Sequence, residues 1–161
     1  MIDISHKPDT DREAVAEGTL RMRRETLQRI LAGKIEKGDV FAAARIAGIM
    51  GAKKTPDLIP LCHPLMLTGV RIHFIPSDSH IPEHESLVTV KILSTVTVSG
   101  KTGVEMEALT SVCIAGLTIY DMCKGIDPEM SLGAIGLVSK TGGRSGDYVR
   151  TAPIPSCLPH F

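Results

Sequence analysis

From Leu87 to Val98 the chain alternates aliphatic, largely β-branched residues with polar ones. From Thr102 to Lys124 it changes to a long apolar pattern of helical period. A long strand followed closely by a long helix restricts the fold: the helix must cover a sheet of comparable length. Three other segments carry strand signals. Ala14, Ala16, Gly18, Leu20 and Met22 alternate with Val15, Glu17, Thr19 and Arg21. Val70, Ile72 and Phe74 alternate with Arg71 and His73, marking 67–75, and a last strand runs from Leu132 to Lys140. Leu27, Ile30 and Leu31 are spaced as one helix, which Gly33 stops. Asp39 caps a second, with Val40, Ala43, Ala44, Ala47 and Met50 on one face before Gly51, and its alanines predict a close helix contact. Thr55-Pro56 opens one further short turn. Thr102 and Glu105 read as a capping box for the long helix, and Gly125 as its left-handed cap. The stretch 76–86 reads as a loop. The order β-α-α-β-β-α-β predicts an α+β fold of ferredoxin-like type, an antiparallel sheet with helices packed on one face.

Composition narrows the partners. Hydrophobic residues are 43% and charged residues 22% of 161, a mix that supports one domain over 1–161. Eighteen Lys/Arg and eighteen Asp/Glu cancel without a basic block, which argues against nonspecific nucleic-acid binding. Two Tyr, three Phe and no Trp are too few for a base-stacking platform. No apolar run approaches the about 20 residues needed to cross a bilayer. Met1-Ile2-Asp3-Ile4-Ser5 has neither the basic nor the apolar part of a signal peptide. Cys62, Cys113, Cys123 and Cys157 form no C-x-x-C pair and read as free thiols of a reducing compartment. A cytoplasmic protein with a small-molecule ligand, and without nucleic-acid or membrane partners, is expected.

Several motifs bear on chemistry. Gly100-Lys101-Thr102 looks like the end of a P-loop, but Thr95 stands where its first glycine belongs. Thr141-Gly142-Gly143-Arg144-Ser145-Gly146 offers backbone amides, a hydroxyl and a guanidinium suited to a phosphate, although such a stretch is also an ordinary turn. Cys62 and His63 are adjacent, yet no second matched pair completes a zinc site, so no metal ligand is assigned. Pro64 restricts His63 to an extended backbone. Asp121 and Lys124 are neighbours at i, i+3 on the long helix. In solvent they are a plain ion pair, whereas burial would shift them toward acid–base work. With Glu107, Lys37, Lys53, Lys54 and Lys140 they suggest an anionic, phosphate-bearing substrate and proton transfers.

The same residues carry a family resemblance. Lys37-Gly38-Asp39-Val40, Ala44-Arg45-Ile46-Ala47-Gly48, Lys53-Lys54-Thr55, Leu58 to Leu65, Gly100 to Ala108, Leu117 to Lys124 and Lys140 to Gly146 resemble the cyclic pyranopterin monophosphate synthase family of molybdenum cofactor biosynthesis. The likeness runs in register from about Met1 to Asp147, and the tail 148–161 has no recognised motif. It implies a ferredoxin-like subunit in a homohexamer, a trimer of dimers, with the active site at the dimer interface. The implied substrate is 3′,8-cyclo-7,8-dihydroguanosine 5′-triphosphate, a cyclic GTP derivative, converted to cyclic pyranopterin monophosphate with release of pyrophosphate. The resemblance places Asp121, Lys124 and Lys37 in catalysis. It places Leu61, Cys62, His63, Met106, Glu107, Lys53, Glu105, Lys140 and Arg144 at the substrate. Some members have Lys at the Arg144 position. No cofactor is required, and Mg²⁺ can assist at the phosphates. Two other classes stay open on the residues alone: a non-catalytic nucleotide-binding domain using the same anion pocket, and a metal-dependent hydrolase using His63 and carboxylates.

Overall fold

The computed structural model describes residues 1–77, 86–144 and 146–155. Most of the expected 76–86 loop, Ser145 and Cys157 lie outside the described residues. Among the described residues, five strands and four helices follow in the order β1 (Thr10–Arg23), α1 (Arg24–Leu31), α2 (Val40–Lys53), α3 (Thr55–Leu58), β2 (Leu67–Pro76), β3 (Leu87–Gly100), α4 (Glu105–Cys123), β4 (Ser131–Thr141) and β5 (Tyr148–Val149). The sheet order is β2-β3-β1-β4-β5, with every neighbouring pair antiparallel. Its first four strands have the β-α-β-β-α-β arrangement expected of a ferredoxin-like α+β sheet covered on one face by helices.

β1 and β3 pair along their whole length, from Thr10 opposite Gly100 to Arg23 opposite Leu87. The alternation read from sequence sets the buried face: Ala14, Ala16, Leu20 and Met22 on β1 meet Val88, Val90, Ile92, Val96 and Val98 on β3. Burying each Val, Leu or Ile contributes about 1.5–3 kcal/mol. Opposite Gly18, β4 carries one residue more than β1, and Ala134 takes up the bulge at φ 49°.

α4 packs its Ala108, Val112, Ala115 and Ile119 onto that face. At 19 residues and a mean hydropathy of 1.2 it is long and apolar enough to cross a membrane, contrary to the sequence expectation. Half of that stretch is buried inside the fold, however, so it serves here as the core helix. α2 packs on α4 through small residues, as its alanines predicted, but the contact face is Val40, Ala44, Gly48 and Gly51. Met50 is 53% exposed. A Cβ on Gly48 would stand 3.0 Å from the Ser111 carbonyl oxygen, and one on Gly51 2.8 Å from Ile114, so only glycine permits this approach.

Several end signals behave as expected. Asp39 accepts from the Ala42 amide at 3.0 Å, and Gly33 takes φ 65° after α1. The two predicted for α4 do not form. The helix starts three residues after Thr102, with Val104, which has no polar side chain, as its N-cap, and the Glu105 carboxylate pairs with Lys140. Gly125 is not left-handed: the amides of Ile126 and Asp127 both bond the Cys123 carbonyl in a continuing right-handed turn. Beyond β4, the segment without a motif adds an edge strand, with Arg150 Nε donating to the Leu137 carbonyl at 2.7 Å.

Candidate active site

The residues singled out in the sequence fall into three groups, spread along α4. At its N-terminal end, Glu105 Oε1 pairs with Lys140 Nζ at 3.0 Å, both side chains about three-quarters buried. They line a cleft of about 480 Å³ that also contains Gly142, Gly143 and Arg144. Sequence reading missed its other cations, Lys7, Arg12 and Lys101. Five basic side chains therefore face two carboxylates there, Glu13 and Glu105. The first turn of α4 also opens toward the cleft through Gly103 and Val104, and a helix N-terminus adds positive potential. Lys101 had a signal in the rejected P-loop: strand, Gly-Lys-Thr and helix follow in the right order, so the lysine lands beside an anion site. Arg12 had none, since its role depends on β1 lying beside both β3 and β4.

Arg12 Nε donates to the Gly100 carbonyl at 2.9 Å, and its guanidinium packs beneath Gly143, where a Cβ would stand 2.2 Å from it. Gly142 has φ 85°, and a Cβ there would lie 2.3 Å from the Asp11 carbonyl oxygen. Glycine is thus required twice for the turn to fold over β1. Its amides are less available than the sequence suggested: the Gly142 amide donates to Asp147 Oδ1 at 3.1 Å and the Gly146 amide to the Gly143 carbonyl. Charge, more than free amides, is what this cleft offers an anion.

The second group lies about half a turn further along α4. Glu107 is 3% exposed, and burial pushes its carboxyl above the usual range, with Glu105 adding repulsion. The Cys62 thiol is likewise raised by burial and by the Glu107 charge, which places the 61–63 segment beside this acid. His63 Nε2 donates to the Ile2 carbonyl at 2.8 Å, while Leu61 and Met106 are exposed. Lys53 stands exposed in the last turn of α2.

The third group is at the far end of α4. Asp121 Oδ2 meets Lys37 Nζ at 2.9 Å, and its Oδ1 meets Lys124 Nζ at 2.7 Å. Lys37 also donates to the Asp121 main-chain carbonyl at 2.9 Å. The hydrogen bond from Lys124, then that from Lys37, lowers the Asp121 carboxyl to about 2, and Asp121 raises Lys124 in turn. The three side chains are 50–57% exposed. In a single subunit the pair is therefore solvated and both partners are held charged, the reverse of the shift that burial would produce. Among the described residues, no three His, Cys, Asp or Glu side chains form a group able to hold a metal ion.

The chain matches the MoaC family over residues 1–143. It is similar to cyclic pyranopterin monophosphate synthase of Roseiflexus sp. (strain RS-1), at 62% identity over 92% of this chain and 90% of that one. It is 58% identical to the synthase of the same name from Heliobacterium modesticaldum, over 93% and 90% of the two chains. With the one from Pelotomaculum thermopropionicum the identity is 56%, over 93% and 84%.

Proposed function

The chain belongs to the MoaC family, and on that premise we propose that it is a cyclic pyranopterin monophosphate synthase, a lyase of molybdenum cofactor biosynthesis. It converts 3′,8-cyclo-7,8-dihydroguanosine 5′-triphosphate into cyclic pyranopterin monophosphate and releases pyrophosphate. The single observation that carries this reading is the family match over nearly the whole chain.

The reaction asks for two kinds of group, and α4 supplies one at each end. Charge on the triphosphate and departing pyrophosphate is neutralised in the cleft by Lys140 and Arg144 with Lys7, Arg12 and Lys101. The ring rearrangement needs protons moved on nitrogen and oxygen without redox change, which Asp121, Lys124 and Lys37 perform as acids and bases. Glu107, raised by burial, holds a proton more readily than an ordinary carboxylate and is placed to donate one beside Leu61, Cys62, His63 and Met106. Lys53 and Glu105 complete the polar surround. Covering the Asp121 cluster with substrate and a neighbouring subunit removes water from it, and desolvation then turns its charged pair toward proton transfer.

That requirement supports a site shared between subunits at a dimer interface within a homohexamer, since the cluster and the cleft are far apart in one chain. No cofactor takes part, and any Mg²⁺ carried by the phosphates enters as part of the substrate. The free thiols of Cys62, Cys113 and Cys123 accord with a cytoplasmic location.

Incubating the purified protein with the cyclic GTP-derived triphosphate and measuring pyrophosphate and pterin tests the proposal. Stoichiometric formation of both, retained in excess chelator, is expected. Tight binding without turnover would identify a nucleotide-binding domain instead, and phosphate release without pterin, lost on chelation, a metal-dependent hydrolase.

A further inference from the structure

We propose that Asp127, in the turn after α4, is a positioning residue that holds Lys37 on one side and Asp121 with Lys124 on the other in catalytic register. The inference rests on the reading of that cluster as catalytic. Asp127 is only 1% exposed although it is a carboxylate. Its Oδ2 accepts from the Arg23 amide at 2.8 Å and from the Thr26 hydroxyl at 3.0 Å. Its Oδ1 accepts from Arg23 Nε at 3.1 Å, and the same guanidinium donates to the Ile126 carbonyl. A buried charge persists only where it is paired and hydrogen-bonded to this degree.

The position of the partners gives the network its meaning. Arg23 and Thr26 belong to the start of α1, a helix with no side-chain cap of its own. The carboxylate that meets this end comes from 104 residues downstream. α1 leads through Gly33 to the turn bearing Lys37. On the opposite side, the amide of Asp127 bonds the Cys123 carbonyl, immediately after the helical turn that presents Asp121 and Lys124. Backbone bonds to the Cys123 carbonyl carry the turn itself, and the Asp127 carboxylate ties that turn to the start of α1. Lys37 and Lys124 thus reach one carboxylate from two segments that Asp127 fastens together.

The test compares Asp127→Asn with the parent protein in its assembled form. The substitution keeps the shape but turns an amide donor toward donors. The Asp121 carboxyl is followed by carbon-13 NMR titration without substrate; Lys37 and Lys124 face it directly, with Arg29, Lys34 and Glu36 around the same recess. In the parent the hydrogen bonds from Lys124 and Lys37 hold it below its ordinary 3.8, and in Asp127→Asn, with those lysines displaced, it moves up toward that value. Turnover falls about 10- to 100-fold with KM nearly unchanged, the signature of misplaced catalytic groups rather than lost binding. Asp127→Glu restores part of both. Should Asp127→Asn not fold, Thr26→Val removes one donor and shifts both readouts in the same direction by less. Parent-like titration with parent-like turnover in a folded variant overturns the proposal. A shifted Asp121 with parent-like turnover overturns the catalytic reading of the cluster, and the proposal with it. The two failures are distinct because the titration needs no substrate.

Discussion

Glu107 and Asp121 stand at opposite ends of α4, fourteen residues and about 21 Å apart along its axis. The first is buried beside Cys62, and the second lies in solvent between two lysines. One small rearranging ring cannot touch both within a single chain.

Mixing two inactive variants decides how they meet. Glu107→Ala and Asp121→Ala, inactive alone, should regain part of the parent turnover once subunits exchange, because some shared sites then carry neither change. No recovery despite exchange shown by mass spectrometry would place each site within one chain.

Asp121→Asn and Lys124→Ala should each lower turnover about 10²- to 10⁴-fold, the usual scale of general acid–base catalysis. The melting temperature at neutral pH should scarcely change, because an exposed pair is screened by water. Its pH dependence has a definite sign. Asp121 is lowered from 3.8 to about 2 by folding, so its contribution is full above 3.8 and lost as the pH falls through about 2. Asp121→Asn should therefore flatten the acid limb of stability, measured by thermal melts, and only slightly, because water screens the same pair there.

Glu107 titrates in the opposite direction. Burial raises it above its ordinary 4.5, so the folded protein favours the protonated form, and stability falls as the pH rises above 4.5. Glu107→Gln removes that loss. Melting temperatures at about pH 5 and about pH 8 should differ less in the variant than in the parent.

Lys140→Ala removes the partner of Glu105 and one cation of the cleft. Pyrophosphate and substrate affinity should weaken together, by about 10-fold or more on calorimetric titration. Arg144→Ala should act in the same direction with a smaller effect, because that side chain is exposed. Unchanged pyrophosphate binding in Lys140→Ala would remove the phosphates from this cleft.

The strands and helices other than β5 were legible in the sequence because their causes are local. The alternation from Ala14 to Met22 and from Leu87 to Val98 fixes which side chains face α4, whatever the neighbours are. The small residues of α2 foretold a close contact, although not that Gly48 and Gly51 would make it; the closest face depends on which residues α4 presents. Helix ends were less legible. Thr102 and Glu105 have the spacing of a capping box, yet Lys140, remote in sequence, takes the Glu105 carboxylate.

The candidate site divides along the same line. Lys37, Asp121 and Lys124, the glycine turn and Glu107 were all named from sequence, as motifs of one family. Local pattern and residue type were enough to place the main elements and the chemical groups. Which groups meet was a matter of packing: Arg12 and Lys101 beside Lys140, Asp127 against the start of α1, and Glu107 away from Asp121. Those outcomes depend on strand order, on register and on the rigid rise of α4, through which contacts between distant residues are set by the whole packed sheet.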